Sequence, residues 1–128
     1  MVFVIKHFLT RKNLMDKVQL SAAVAKCTPT GIKFRFLKLK DNRSMNFKDD
    51  AVKYYKTKAD TVAYIGDGRW DLHALRNADL RFAIKNSKLS ELCKEQEIHA
   101  KIVSDFNEIV ASLKKEMLER DSWQGESE

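Results

Sequence analysis

The chain has 128 residues, of which 44% are apolar and 33% charged, enough for one ordinary domain and too apolar for disorder throughout. No apolar run approaches the roughly 20 residues needed to cross a bilayer, and the opening Met-Val-Phe-Val-Ile stops at Lys6 and His7, too short for a signal peptide's apolar core, so a cytoplasmic protein with no membrane partner is expected. The net charge of +6 is uneven, with 14 Lys/Arg against 5 Asp/Glu in residues 1–60 and 10 against 13 in residues 61–128.

In chain order, Val4, Ile5, Phe8 and Leu9 fall at helical spacing and predict a helix over residues 3–12. Two strand-like runs follow, Leu20–Ala25 and Ile32–Leu39, separated by the turn signal Cys27-Thr-Pro-Thr-Gly31. Ile32, Phe34 and Phe36 alternate with Lys33 and Arg35, as in a half-buried strand. Lys33, Arg35, Lys38 and Lys40 are interspersed with apolar residues and read as the solvated face of that strand and its end, which weighs against nucleic acid as a partner.

A polar stretch, Asp41–Asn46, leads to a predicted helix over Phe47–Lys56. Thr61–Ile65 is short and nearly uncharged, as in a strand buried on both faces, and ends at Gly66. A helix over Asp71–Ala78 and a strand over Leu80–Ile84 follow. Asn86 or Ser87 caps a helix running to about Gln96, with Glu91 in its early turns. Ser104 is a candidate cap for a last helix bearing Phe106, Ile109, Val110, Leu113 and Met117 on one stripe, with Asp105 suited to the helix dipole. Alternating strands and helices of these lengths imply βαβ units and a parallel sheet, an α/β fold. Residues 1–121 read as one domain and residues 122–128, polar with little to bury, as a disordered tail.

Chemistry concentrates in Tyr64-Ile-Gly-Asp67-Gly-Arg-Trp-Asp71. In a parallel α/β sheet ligands bind beyond the carboxyl ends of strands, where Asp67 would stand. Gly66 and Gly68 permit backbone angles closed to other residues and leave room for a ligand. Asp67 and Asp71, four apart across the turn, can direct carboxylate oxygens to one point, as a hard cation such as magnesium requires. The alternative is structural, with Asp71 capping its helix and Gly-Asp-Gly only a turn. Cys27 and Cys93 lack metal-ligand spacing and read as reduced, buried thiols. His7, His73 and His99 share no spacing for a metal or a triad.

Ile65-Gly-Asp-Gly-Arg-Trp-Asp71 resembles the fourth motif, Gly-Asp-Gly-x-x-Asp, of haloacid dehalogenase superfamily phosphatases. Ala78–Ala83, Leu89 with Cys93, and Asp105-Phe-Asn-Glu-Ile109 are similar to segments of the phosphoserine phosphatase and methylthiopentenyl-phosphate phosphatase-like branch. The resemblance runs from about Phe3 to Leu113, closest from Thr61 onward. It implies a Rossmann-like, three-layer α/β fold, a phosphate ester substrate, Mg2+ held by Asp67 and Asp71, and a catalytic lysine, for which Lys48 is the candidate and Arg43 and Lys53 the alternatives. Trp70 departs from the small or polar residue usual in the family.

The family's reaction begins at Asp-x-Asp, with a nucleophile followed by a general acid/base, and this sequence contains no Asp-x-Asp. The first strand of the family fold, which carries that motif and lies beside the counterpart of Thr61–Ile65, is missing with it. The resemblance therefore implies a truncated phosphatase-like protein, inactive alone, with Mg2+ weak or absent. The alternatives are a Mg-dependent phosphomonoesterase completed by a missing N-terminal segment or a separate chain, and a basic binding module.

Overall fold

A computed structural model describes residues 2–22, 24–35 and 38–126, with side chains described for most of them. The chain divides into two compact units, residues 1–39 and residues 40–128.

The first unit holds helix α1 (Val2–Arg11) and an antiparallel hairpin of β1 (Val24–Thr28) and β2 (Gly31–Arg35). The pairing Thr28↔Gly31 leaves Pro29 and Thr30 as a two-residue turn. The Thr28 hydroxyl donates to the Gly31 carbonyl at 2.8 Å, and Gly31, at φ +137°, takes a conformation that only glycine adopts without strain. The first strand begins at Val24 rather than Leu20: the small residues before it lack the β-branched and aromatic side chains that favour extended pairing. Every residue of β2 is exposed, and Cys27 is an exposed thiol rather than the expected buried one. A two-stranded ribbon has too few layers to cover a side chain on either face.

The second unit contains α2 (Phe47–Lys56), β3 (Ala63–Gly66), a 3-10 turn (Arg69–Asp71), α3 (Leu72–Asn77), β4 (Leu80–Ile84), α4 (Lys88–Glu95), β5 (Lys101–Val103) and α5 (Phe106–Glu126). Its three strands form a parallel sheet in the order β3-β4-β5, with Ile65 opposite Phe82 and Ala83 opposite Ile102.

Strand alternation sorts the core into two faces. Ala83 packs with Leu72 and Leu75 of α3 and Leu89 and Cys93 of α4, and Tyr64 joins that side. Phe82 and Val103 point the other way, against Ile109 of α5, with Ile65, Leu80, Ile84 and Leu113 beside them. Helices thus cover both faces of the sheet. Val52 of α2 packs on Ala74 of α3 and on Ala78, the residue that caps its C-terminus, bringing α2 alongside the motif-bearing turn.

Several readings change here. β3 is half-buried, with Ala63 exposed, rather than buried on both faces, and it is one of the two edge strands of this sheet. β5 has only three residues, too few for the alternation that reveals strands in a sequence. On α5, Ile109 is buried while Phe106, Val110 and Met117 are exposed; the part of the stripe that packs on the sheet is Ile109 with Leu113. Asp105, not Ser104, accepts the Glu108 N–H at 3.0 Å and caps the helix. The helix continues to Glu126, into the segment whose composition suggests a disordered tail. No helix among the described residues is long and apolar enough to cross a membrane.

Candidate functional site

β3 ends at Gly66, and the chain turns through Asp67 and Gly68 into the 3-10 turn that delivers Asp71 to the start of α3. Asp71 does not cap α3 through its side chain. Its carboxylate points back at the turn instead, where Oδ2 accepts the N–H groups of Asp67 at 3.0 Å and Gly68 at 2.8 Å. Oδ1 accepts the Tyr64 hydroxyl at 2.6 Å and the Lys48 ammonium at 2.7 Å. Four donors saturate the lone pairs of the two oxygens, and the residue is only 3% exposed.

Burial alone would raise the Asp71 pKa, but the bonds from Lys48, Tyr64 and the two backbone N–H groups outweigh it and hold the carboxyl below the usual carboxylate range. Burial and the same carboxylate push the Tyr64 phenol far above its ordinary value, so it remains a donor.

The glycines serve a different purpose from the one their backbone freedom suggests. Gly31 is the only glycine among the described residues with positive φ, and Gly68 has φ −110°. A Cβ on Gly66 would stand 2.7 Å from Cβ and Cγ of Asp71, whereas one on Gly68 would meet only an ordinary 3.5 Å contact. Gly66 therefore leaves room for a side chain of the same chain, Asp71, rather than for a ligand.

Lys48 reaches this turn because the start of α2 is fixed at both ends of a capping box. Asn46 Oδ1 accepts the Lys48 and Asp49 N–H groups, and the Asp49 carboxylate accepts those of Met45 and Asn46. Asn46 Nδ2 also donates to the Trp70 carbonyl at 3.0 Å, tying this loop to the motif. Of the three cations that could answer to the catalytic lysine, Arg43 pairs with Asp41 and Lys53 with Asp49. Lys48 is the one that meets Asp71. The Trp70 side chain is 71% exposed and does not crowd the Asp71 carboxylate.

The arrangement gives Asp67 and Asp71 different roles. Asp67 is exposed, and its carboxylate can meet a cation from solvent. Asp71 could ligate one only by giving up Lys48 or Tyr64, and six-coordinate magnesium needs more oxygens than this turn offers as it stands. The residues present thus do not fit a resident magnesium ion without rearrangement. Among the described residues no group of three or more His, Cys, Asp or Glu is placed to hold a metal. A cleft of about 610 Å3 lies elsewhere, lined by Lys40, Asp41, Arg43, Asp50, Lys53 and Tyr54.

Tyr64 was not singled out in the sequence. Its signal is the period-2 pattern, which puts it on the α3-facing side of β3, one strand step before the Gly66 that makes room for Asp71. Comparison of the chain with protein-family models, with curated proteins and with solved structures finds no match to any of the three.

Proposed function

We propose that this chain is the C-terminal part of a haloacid dehalogenase-type phosphatase fold, with a cation-facing turn at Asp67 and no turnover of its own. One observation carries the reading. A lysine from the first turn of α2 contacts the second aspartate of a Gly-Asp-Gly-x-x-Asp turn at the carboxyl end of a parallel strand, which brings together the lysine and the turn that the resemblance singles out. In this reading Asp67 is the metal-facing carboxylate. Asp71 fixes the turn, and Lys48 supplies the positive charge that offsets phosphate. The sequence has no Asp-x-Asp, so in this reading the family's nucleophile and general acid/base are lacking, and losing a nucleophile removes several orders of magnitude in rate.

An active phosphomonoesterase completed by a segment in trans is the second reading, and the edge of the sheet favours it. The Val62 carbonyl accepts from Leu80 and its N–H donates to Asp79, so Val62 faces β4. By alternation Ala63 and Ile65 turn their backbone groups to the opposite edge, where no described strand pairs. That edge can receive a further strand.

Manganese serves as the probe. In amide NMR spectra of the full chain it should broaden Gly66, Asp67 and Gly68 selectively, the effect disappearing in Asp67→Asn, while p-nitrophenyl phosphate with magnesium yields no steady phosphate release. Absence of local broadening sinks the cation-facing role. Magnesium-dependent release from the pure chain sinks the claim that it lacks turnover.

A further inference from the structure

The net charge of this protein comes from one stretch of its sequence. Between Lys17 and Lys40 there are six cations, Lys17, Lys26, Lys33, Arg35, Lys38 and Lys40, and no Asp or Glu; the rest of the chain carries 18 cations and 18 acids. The β1–β2 ribbon concentrates that excess further. Its register sets Lys26 directly opposite Lys33 and Val24 opposite Arg35, so Lys26, Lys33 and Arg35 share one face. All three are exposed, and none meets a carboxylate among the described residues. Facing like charges destabilise a strand pair, and an isolated ribbon has little stability to spare. In the sequence these lysines look dispersed, which weighs against a polyanion. The register gathers them.

We infer that the Lys26, Lys33 and Arg35 face of the hairpin docks on the phosphate backbone of double-stranded nucleic acid, without reading its sequence. Lys33 and Arg35 stand two residues apart on one strand, about 6.7 Å, a span that reaches neighbouring phosphates, which wind around the duplex with an axial rise of about 3.4 Å per step. Lys26 lies about 5 Å across the ribbon from Lys33.

The opposite face carries Ala25, Cys27, Ile32 and Phe34. That segregation decides between partners. Single-stranded nucleic acid is held by aromatic side chains lying among the cations, and here the aromatic residue is on the other side. An anionic membrane takes up an amphipathic element through its apolar face, and with Ile32 and Phe34 towards the bilayer this flat ribbon would turn its three cations away from the headgroups. A duplex backbone asks only for exposed cations at phosphate spacing. The inference concerns the first unit and stands apart from the proposal for the Asp67 turn.

The test is fluorescence anisotropy of the full chain with a labelled 20-base-pair DNA duplex, the corresponding single strand, and, separately, vesicles containing phosphatidylserine. Three phosphate contacts predict a slope of log K against log salt of about −2.7, hence roughly a 40-fold loss of affinity over a fourfold rise in salt. The triple variant Lys26→Gln/Lys33→Gln/Arg35→Gln should abolish duplex binding and flatten the slope. Lys114→Gln/Lys115→Gln, which removes exposed cations from α5, should change neither. The triple variant relieves repulsion in the hairpin, so misfolding does not explain its loss of binding, and an unchanged far-UV spectrum checks this. The inference is overturned by no duplex binding at low salt, by a slope near zero, by equal loss in the α5 variant, or by tighter binding to the single strand or the vesicles.

Discussion

The Lys48 ammonium lies 2.7 Å from Asp71 Oδ1 across 23 residues of sequence, joining α2 to the turn after β3. The two ends of this pair are unequal. The Asp71 side chain is 5% exposed and that of Lys48 36%, so water can replace the partner of one and not of the other. Lys48→Met removes one donor and leaves Asp71 with three, at a cost of about 1 kcal/mol once solvent screening is allowed for. Asp71→Asn deprives Lys48 of its counterion and puts an amide N–H2 among donors, at a cost of about 3 kcal/mol. Urea unfolding followed by circular dichroism measures both. Equal costs would mean that Asp71 is not the hub of the turn.

Gly66→Ala and Gly68→Ala separate close approach from backbone freedom. The Gly66 methyl must displace Asp71, and forcing a group into a packed site costs about 1–3 kcal/mol. The Gly68 methyl meets ordinary contact distance and should cost less than about 1 kcal/mol. Comparable losses in the two variants would remove the steric argument.

Stability should fall at both ends of the pH range, for opposite reasons. Asp71 is held below its ordinary pKa by its donors. Asp50 is held below it, against burial, by the N–H groups of Lys40 and Asp41 and the Ser44 hydroxyl. A depressed carboxyl contributes stability that is complete above its unfolded value of about 3.9 and is lost as pH falls through the folded value. Acid unfolding should therefore begin below about pH 4 and be less steep in Asp71→Asn. Tyr64 is shifted upward, so its contribution is complete below an unfolded value of about 10 and is lost as pH rises beyond it. Absorbance at 295 nm should show Tyr64 ionising only with alkaline unfolding, a step absent in Tyr64→Phe. Ionisation of Tyr64 in the folded chain would contradict this.

How far the fold can be read from residues alone depends on how local its cause is. α2 and β4 have the boundaries their patterns predict, Phe47–Lys56 and Leu80–Ile84, because a capping box and an apolar alternation are written into neighbouring residues. Ser87 caps α4 by accepting the Ser90 N–H, again locally. What could not be read depends on distant partners. Which residues of the α5 stripe are covered, Ile109 and Leu113 but not Phe106 and Met117, depends on where the sheet meets the helix. The choice of Lys48 over Arg43 and Lys53 follows from carboxylates, Asp41 and Asp49, that take up the other two. That Asp71 turns back to Asp67 and Gly68 rather than capping α3 depends on space opened by Gly66, and Asp-Gly-x-x-Asp spacing is compatible with either.

Magnesium should have little effect on folding, and the reason is the occupancy of Asp71 by its own donors. A cation approaching Asp67 finds one carboxylate open to solvent, while the neighbouring one already accepts from Lys48, Tyr64 and two backbone N–H groups. Recruiting Asp71 would break at least one of those bonds, and the Lys48 ammonium, close by, repels a dication. Magnesium holds its own water tightly and gains little from a single carboxylate. A site with Kd of about 1 mM or weaker adds at most about 0.4 kcal/mol at about 1 mM cation. Thermal melting of the chain with and without magnesium should therefore differ by only a degree or two. Lys48→Met should bind the ion more tightly than the native chain, because it frees an Asp71 lone pair and removes the competing charge. A large magnesium-induced rise in Tm in the native chain, abolished by Asp67→Asn, would show that the turn rearranges to complete a metal site, and that the donors around Asp71 hold it only until the cation arrives.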